Sequence, residues 1–126
     1  MAMLGVQRIM TGQNVEVSDV MHCFLGLRTL EIDVYFNLLK GQATVKEVAT
    51  ALRSNRSSVQ RAIQNLVQRG FAHRRTRTLR KGGYEYVYEA VNLATMKDLI
   101  KGALDTFYQQ IEEFLDQYWA KSEKTT

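Results

Sequence analysis

Two amphipathic helical patterns stand only three residues apart in this chain, and that spacing limits what it can fold into more than any other feature. In the first, Val45, Val48, Ala49 and Leu52 recur at i, i+3, i+4 and i+7 behind Thr44, which can cap the helix while Glu47 completes a capping box. In the second, Val59, Ala62, Ile63, Leu66 and Val67 fall at i, i+3, i+4, i+7 and i+8, with Asn55 or Ser54 as cap and Gly70 as terminator. Only Arg53-Ser54-Asn55 separates them. So short a connection cannot lay two helices comfortably antiparallel, and an angled helix-turn-helix is the expected solution.

On either side the periodicity supplies the rest of a small module. Residues 1–17 show no sustained period and read as an arm. A helix start is signalled at Ser18-Asp19, with Val20, Met21, Phe24 and Leu25 along one face before Gly26. Thr29 is the next plausible cap, and Leu30, Val34, Tyr35, Leu38 and Leu39 form an apolar stripe ending at Gly41. Beyond Gly70 the period changes to two: Tyr84, Tyr86 and Tyr88 alternate with Glu85, Val87 and Glu89, and Phe71 to Thr76 can pair with them as a hairpin whose turn holds Gly82-Gly83. From Leu93 to about Ala120 a last helix about 40 Å long carries Ile100, Leu104, Phe107, Ile111, Phe114 and Tyr118 at alternating spacings of four and three, the a/d seam of a coiled coil. Its length exceeds what so small a core needs, so the seam is expected to pair with a second copy of the chain. The fold class is thus mainly α with a small β-hairpin (α+β). It divides into an arm at 1–17, a helix-turn-helix domain with a hairpin at 18–92, a dimerisation helix at 93–120 and a tail at 121–126.

Charge is distributed as unevenly as periodicity. Residues 1–52 carry four basic and five acidic side chains, residues 53–81 nine basic and none acidic, and residues 82–126 four basic and eight acidic. A carboxylate-free basic stretch lying across the second helix and the hairpin points to a polyanion.

Three helices, a hairpin after the third and a basic hairpin tip make a winged helix-turn-helix. The runs Leu25-Gly26-Leu27-Arg28-Thr29-Leu30-Glu31-Ile32-Asp33-Val34-Tyr35, Ala43-Thr44-Val45-Lys46-Glu47-Val48-Ala49, Arg56-Ser57-Ser58-Val59-Gln60-Arg61-Ala62 and Leu66-Val67-Gln68-Arg69-Gly70-Phe71 resemble prokaryotic, and in particular archaeal, transcription regulators of the TrmB-like and MarR-like kind. The resemblance covers residues 25–92. It implies double-stranded DNA as partner, with a recognition helix at 55–69 in the major groove and a wing at 71–91 on the backbone or minor groove. Arg53 stands where many such motifs have glycine, which implies strain of about 1 kcal/mol. At 126 residues there is no room for the effector domain of full-length TrmB-like regulators, so no small-molecule effector is expected.

In such a fold the helix face opposite Val59, Ala62 and Ile63 presents Asn55, Arg56, Ser57, Ser58, Gln60, Arg61 and Gln64 to DNA. Glutamine can pair with adenine and arginine with guanine, while serine and the helix N-terminus suit phosphate. Arg74, Arg75, Arg77, Arg80 and Lys81 are the wing's candidate phosphate or minor-groove contacts. The alternative is an architectural or scaffold protein that coats nucleic acid without reading sequence. A structural zinc site, a disulfide and a spanning helix are unsupported: the chain has one cysteine, two histidines and no apolar run of about 20 residues. No signal peptide is legible, and the expected location is cytoplasmic, on the nucleoid. No nucleophile-base pair, phosphate-cradling glycine loop or metal signature is present, so neither an enzyme nor a cofactor is expected. Cys23 is expected to be a buried small hydrophobe, the tyrosine stripe to pack on the core or on a partner, and Met10, Met21 and Met96 to fill gaps.

Overall fold

The computed structural model describes residues 11–12 and 15–124, with side chains through Lys121. Most of the expected arm, together with Met10, therefore lies outside the described residues. Along the chain the elements are α1 (Val17–Leu25), α2 (Thr29–Leu39), α3 (Val45–Leu52), α4 (Arg56–Gln68), β1 (Ala72–Thr78), β2 (Tyr84–Ala90) and α5 (Leu93–Lys124).

Local chemistry sets each helix end. Thr44 and Glu47 form the expected capping box: the Glu47 amide donates to Thr44 Oγ1 at 3.1 Å and the Thr44 amide donates to Glu47 Oε1 at 3.0 Å. Asn55 Oδ1 accepts from the amides of Ser57 and Ser58, so α4 also starts where its sequence signals. The first two helices begin slightly earlier than expected. Asp19 is the third helical residue of α1, reaching back to the Glu16 amide, and Glu31 does the same for Arg28, which leaves Thr29 inside α2. In both cases the capping group is a carboxylate three residues downstream of the cap.

All five helices named above and the base of the hairpin contribute to one core. Met21, Val34, Tyr35, Val48, Val59, Ile63 and Leu66 are fully enclosed, joined by Phe71, Ala72, Ala90, Val91 and Met96. Fully burying one such aliphatic side chain stabilises the fold by about 1.5–3 kcal/mol. Tyr35 sends its hydroxyl to the Val91 carbonyl at 2.8 Å, fastening α2 to the junction between β2 and α5. Burial pushes this phenol above its ordinary pKa, so it stays protonated as a donor. Arg69 donates to the Leu25 carbonyl and lies over the Phe71 ring at 5.1 Å, so this cation is occupied with holding α1 to the end of α4.

The hairpin is antiparallel and in register from Ala72 opposite Ala90 to Thr78 opposite Tyr84. It runs further than Phe71 to Thr76. Gly82 and Gly83, at φ 92° and 80°, close it in a conformation that L side chains resist. Ala43 pairs with Tyr88 on the outer edge of β2, tying the entry of α3 to the wing.

The last helix has two unlike parts. Met96 is buried, Ile100, Ala103 and Leu104 are partly buried, and Phe107 meets Phe24 of α1 edge to face at 5.4 Å. From Tyr108 to Lys121 every side chain is exposed. The helix also continues to Lys124, through four of the six residues expected as tail. Cys23 is exposed rather than buried, because α1 turns Met21 and Leu25 to the core and places the cysteine on another face. No described helix is long and apolar enough to cross a membrane.

Candidate nucleic-acid interface

Packing Val59, Ala62, Ile63 and Leu66 into the core forces the opposite face of α4 outward. Asn55, Arg56, Ser57, Gln60, Arg61 and Gln64 are exposed, and Ser58 is half-buried. The seven residues expected on this helix therefore share one face or its leading edge. Among the described residues neither Arg56 nor Arg61 has a carboxylate partner. Asn55 is committed to its cap, so its side-chain oxygen is already engaged with the helix amides.

Two polar residues beside this face have other tasks or were missed. Asn65 follows Gln64 in sequence but turns inward and donates to Glu31, a carboxylate only 7% exposed that also accepts the Arg28 amide at 2.8 Å. This pair braces the start of α2 against α4. Arg28, which the sequence reading did not single out, lines a cleft with Ser58 and Arg61 on the same surface. Its position 33 residues before Arg61 gave no local signal.

The wing is less uniform than its composition implies. Arg80 and Lys81 occupy the exposed tip and have no carboxylate partner among the described residues. Arg77 lies opposite Glu85 in the hairpin, donates to its carboxylate at 2.9 Å and 2.5 Å, and reaches Glu47 of α3 at 3.4 Å. The hydrogen bonds that it donates to Glu85, reinforced by the charges of Glu85 and Glu47, hold this guanidinium above its ordinary pKa. Arg75 pairs with Glu89 at 3.4 Å, and Glu89 also accepts from Gln42 at 2.9 Å. Two of the five expected wing cations are thus partly neutralised within the chain. The signal was present in the sequence: a hairpin register placing Thr78 opposite Tyr84 sets Arg77 against Glu85.

Arg74 is different. Its guanidinium lies 4.4 Å from the centroid of the Tyr86 ring, and Tyr86 meets Tyr84 edge to face at 5.6 Å. Tyr88 is half-buried against the core, as expected of the stripe, whereas Tyr84 and Tyr86 are exposed. No group of three His, Cys, Asp or Glu side chains among the described residues could hold a metal ion.

The closely spaced pair α3 and α4, the capped α4 with its outward polar face and a two-stranded wing are the parts of a winged-helix regulator, and the comparisons agree. Residues 21–94 match the family described as sugar-specific transcriptional regulator TrmB. An uncharacterized protein of Methanocaldococcus jannaschii is 40% identical over 103 residues, which span 81% of this chain and 85% of that protein. A possible transcriptional regulator from Methanosarcina mazei has the same fold, with a TM-score of 0.71 at 22% identity over 80% of this chain and 87% of the other. A MarR family transcriptional regulator from Silicibacter pomeroyi aligns with a TM-score of 0.52 at 18% identity, over 86% of this chain and 69% of its own.

Proposed function

This chain belongs to the TrmB family of transcriptional regulators, and we propose that it binds double-stranded DNA sequence-specifically as a homodimer. In this reading α4 enters the major groove, where Gln60, Arg61 and Gln64 read base edges and Arg56, Ser57 and Ser58 hold phosphates. Arg80 and Lys81 at the wing tip reach the flanking backbone or minor groove.

The observation that carries the reading is the outward face of α4. It is polar, exposed, free of carboxylates and mounted on a helix whose other side is locked into the core. A solvated helix surface without a polyanionic partner has no reason to exclude Asp and Glu over so long a stretch.

Dimerisation rests on α5. Phe107, Ile111, Phe114 and Tyr118 of the expected seam are exposed, with Phe114 63% exposed, and Leu115 and Trp119 widen the apolar face. A second copy is the fitting occupant because the seam keeps its four-three rhythm through the exposed part, the pattern by which helices pack on their like. Ile100 and Leu104 lean partly on their own chain, so the proposed interface is centred nearer the C-terminus than the full seam.

A competition experiment tests the function. Duplex fragments selected from the host genome should bind about 10³-fold or more tightly than unrelated duplex at one fixed salt concentration. Equal affinity for both would instead identify a protein that coats DNA without reading it.

A further inference from the structure

The wing's two faces are chemically opposite, and each belongs to a different helix. Residues alternate across a strand, so His73, Arg75 and Arg77 share a face with Glu85, Val87 and Glu89, while Arg74, Thr76 and Thr78 share the other with Tyr84, Tyr86 and Tyr88. The first face closes on the entry of α3: Glu47 reaches Arg77, Gln42 reaches Glu89, and Val87 beneath them is buried. Its arginines are matched by carboxylates.

The second face opens toward the recognition helix. Gln64, Val67 and Gln68 of α4 line one cleft with Ala72, Arg74 and Tyr88 of the wing. Beyond that cleft the same face continues outward through Arg74, Tyr86 and Tyr84. It carries no carboxylate. A duplex lying on the outward face of α4 therefore meets this side of the hairpin first.

We propose that the wing holds the duplex through the Arg74, Tyr84 and Tyr86 face, while Arg77 fastens the wing to α3 through Glu47 and Arg75 is spent on Glu89 within the hairpin. The proposal rests on the DNA-binding reading above and names the surface that carries it out. A guanidinium stacked on a ring has its edge N–H groups free to donate to phosphate oxygens, and the ring limits its rotamers before binding. Phenol hydroxyls donate to the same acceptors without adding charge. Tyr84, with Tyr86 beside it, is held above its ordinary pKa, and a phenol is a neutral donor at physiological pH in any case. Both tyrosines then contribute affinity that salt does not screen, while Arg74 contributes affinity that it does.

That division gives the test. The salt dependence of duplex binding is measured for the full chain and for Arg74→Ala, Tyr86→Phe, Arg75→Ala and Arg77→Ala, with a thermal melt of each. In a dimer, Arg74→Ala is expected to flatten the slope of log affinity against log salt by about 1.8, one phosphate from each subunit at about 0.9. Tyr86→Phe keeps the ring and is expected to weaken binding about tenfold with an unchanged slope, since it removes two hydrogen bonds and no charge. Arg75→Ala and Arg77→Ala are expected to leave the slope within about 0.4 of the parent; Arg77→Ala should also lower the melting temperature, because it releases Glu47.

Slopes that flatten by about 1.8 for Arg75→Ala or Arg77→Ala, with Arg74→Ala inert, overturn the assignment of faces while leaving duplex binding intact. A single-stranded oligonucleotide that outcompetes the duplex also overturns it, assigning the rings to base stacking instead. Failure of the parent chain to bind any duplex at low salt is separately visible in the same titration, and it overturns the functional reading from which the proposal starts.

Discussion

The basic face of residues 53–81 and the last turns of α5 are both left in water, but for different physical reasons. On α4 and the basic side of the wing the exposed groups are chiefly Arg, Lys, Gln and Ser, with Tyr84 and Tyr86 beside them, and the charged and amide groups are well hydrated until a polyanion replaces that water. On α5 the exposed groups are Phe107, Tyr108, Ile111, Phe114, Leu115, Tyr118 and Trp119, carried among Asp105, Glu112, Glu113 and Asp116. A contiguous aromatic surface is costly in water and seeks a permanent partner, and its acidic neighbours repel DNA. Under the proposed function the first region binds reversibly and the second assembles the dimer.

Removing the assembly surface tests that contrast with the largest expected effect. Met96 belongs to the core and Phe107 packs on Phe24, so a cut after Asn92 would damage the domain itself. A chain ending at Phe107, or the full chain carrying Phe114→Glu, should sediment as a folded monomer at micromolar concentration. Both should lose about 100-fold or more in affinity for a two-half-site duplex, because the second half-site contact no longer forms at high effective concentration. A persisting dimer would move the interface off the exposed part of α5 and leave its aromatic surface unexplained.

A smaller effect is expected from the reversible surface. Gln60→Ala or Arg61→Ala should weaken binding to the preferred site by ~1–3 kcal/mol and relax its sequence preference, with the dimer and the melting temperature unchanged. Equal losses on preferred and unrelated duplex would reassign those side chains to phosphate and make the two regions differ in permanence only, not in readout.

How legible these regions were depends on the range of the interactions that define them. Helices with a strict period and a local cap, such as α3 and α4, were readable because both signals lie within a few residues. The same holds for Gln60, Arg61 and Gln64, whose exposure follows directly from Val59, Ala62 and Ile63 being inside. Asn65 shows the limit: in composition it matches its neighbours, and only Glu31, 34 residues away along the chain, turns it inward. Arg28 joins the surface by the same long-range folding. The division of the wing into a paired face and a tyrosine face was one step from legible, because it needed only the strand register. The exposure of Cys23 was not, since it depends on which side of α1 receives α5.

Beside the basic region, Glu47 of α3 and Arg77 of the wing form an electrostatic anchor that salt and acid should weaken. The Thr44 amide, then its hydroxyl, holds Glu47 below the usual carboxylate range, and Arg77 adds to that pull. A carboxylate depressed on folding contributes stability that is present above its unfolded pKa and lost as pH falls through its folded one. Glu47→Ala should therefore lower the melting temperature near neutrality, by the modest amount expected of an exposed, solvent-screened capping group. The gap in melting temperature from the parent should stay constant through mildly acidic pH and close only below the ordinary glutamate range. A gap that never closes would show that Glu47 acts through packing rather than charge.

The smallest expected effect lies at the turn where the two helices meet. Arg53 sits at φ 52° and ψ 42°, the left-handed cap of α3, and it is the only non-glycine residue at positive φ among those described. Its amide still bonds back to the Thr50 carbonyl at 3.3 Å and Ser54 to Ala49 at 3.0 Å, so the helix end is closed correctly despite the side chain. Glycine would relieve a strain of about 1 kcal/mol at this position, but it would also loosen the unfolded chain and return part of that gain. Arg53→Gly should thus raise the melting temperature by a few degrees at most. The substitution also removes one cation from the carboxylate-free stretch, so its second readout is the salt slope of DNA binding. A stabilised protein with an unaltered slope would show that Arg53 is only a turn residue. A slope flattened by about 1.8 in the dimer would mean that the strain is retained because the left-handed turn aims this guanidinium at a phosphate, and the reversible surface would then extend back to the end of α3.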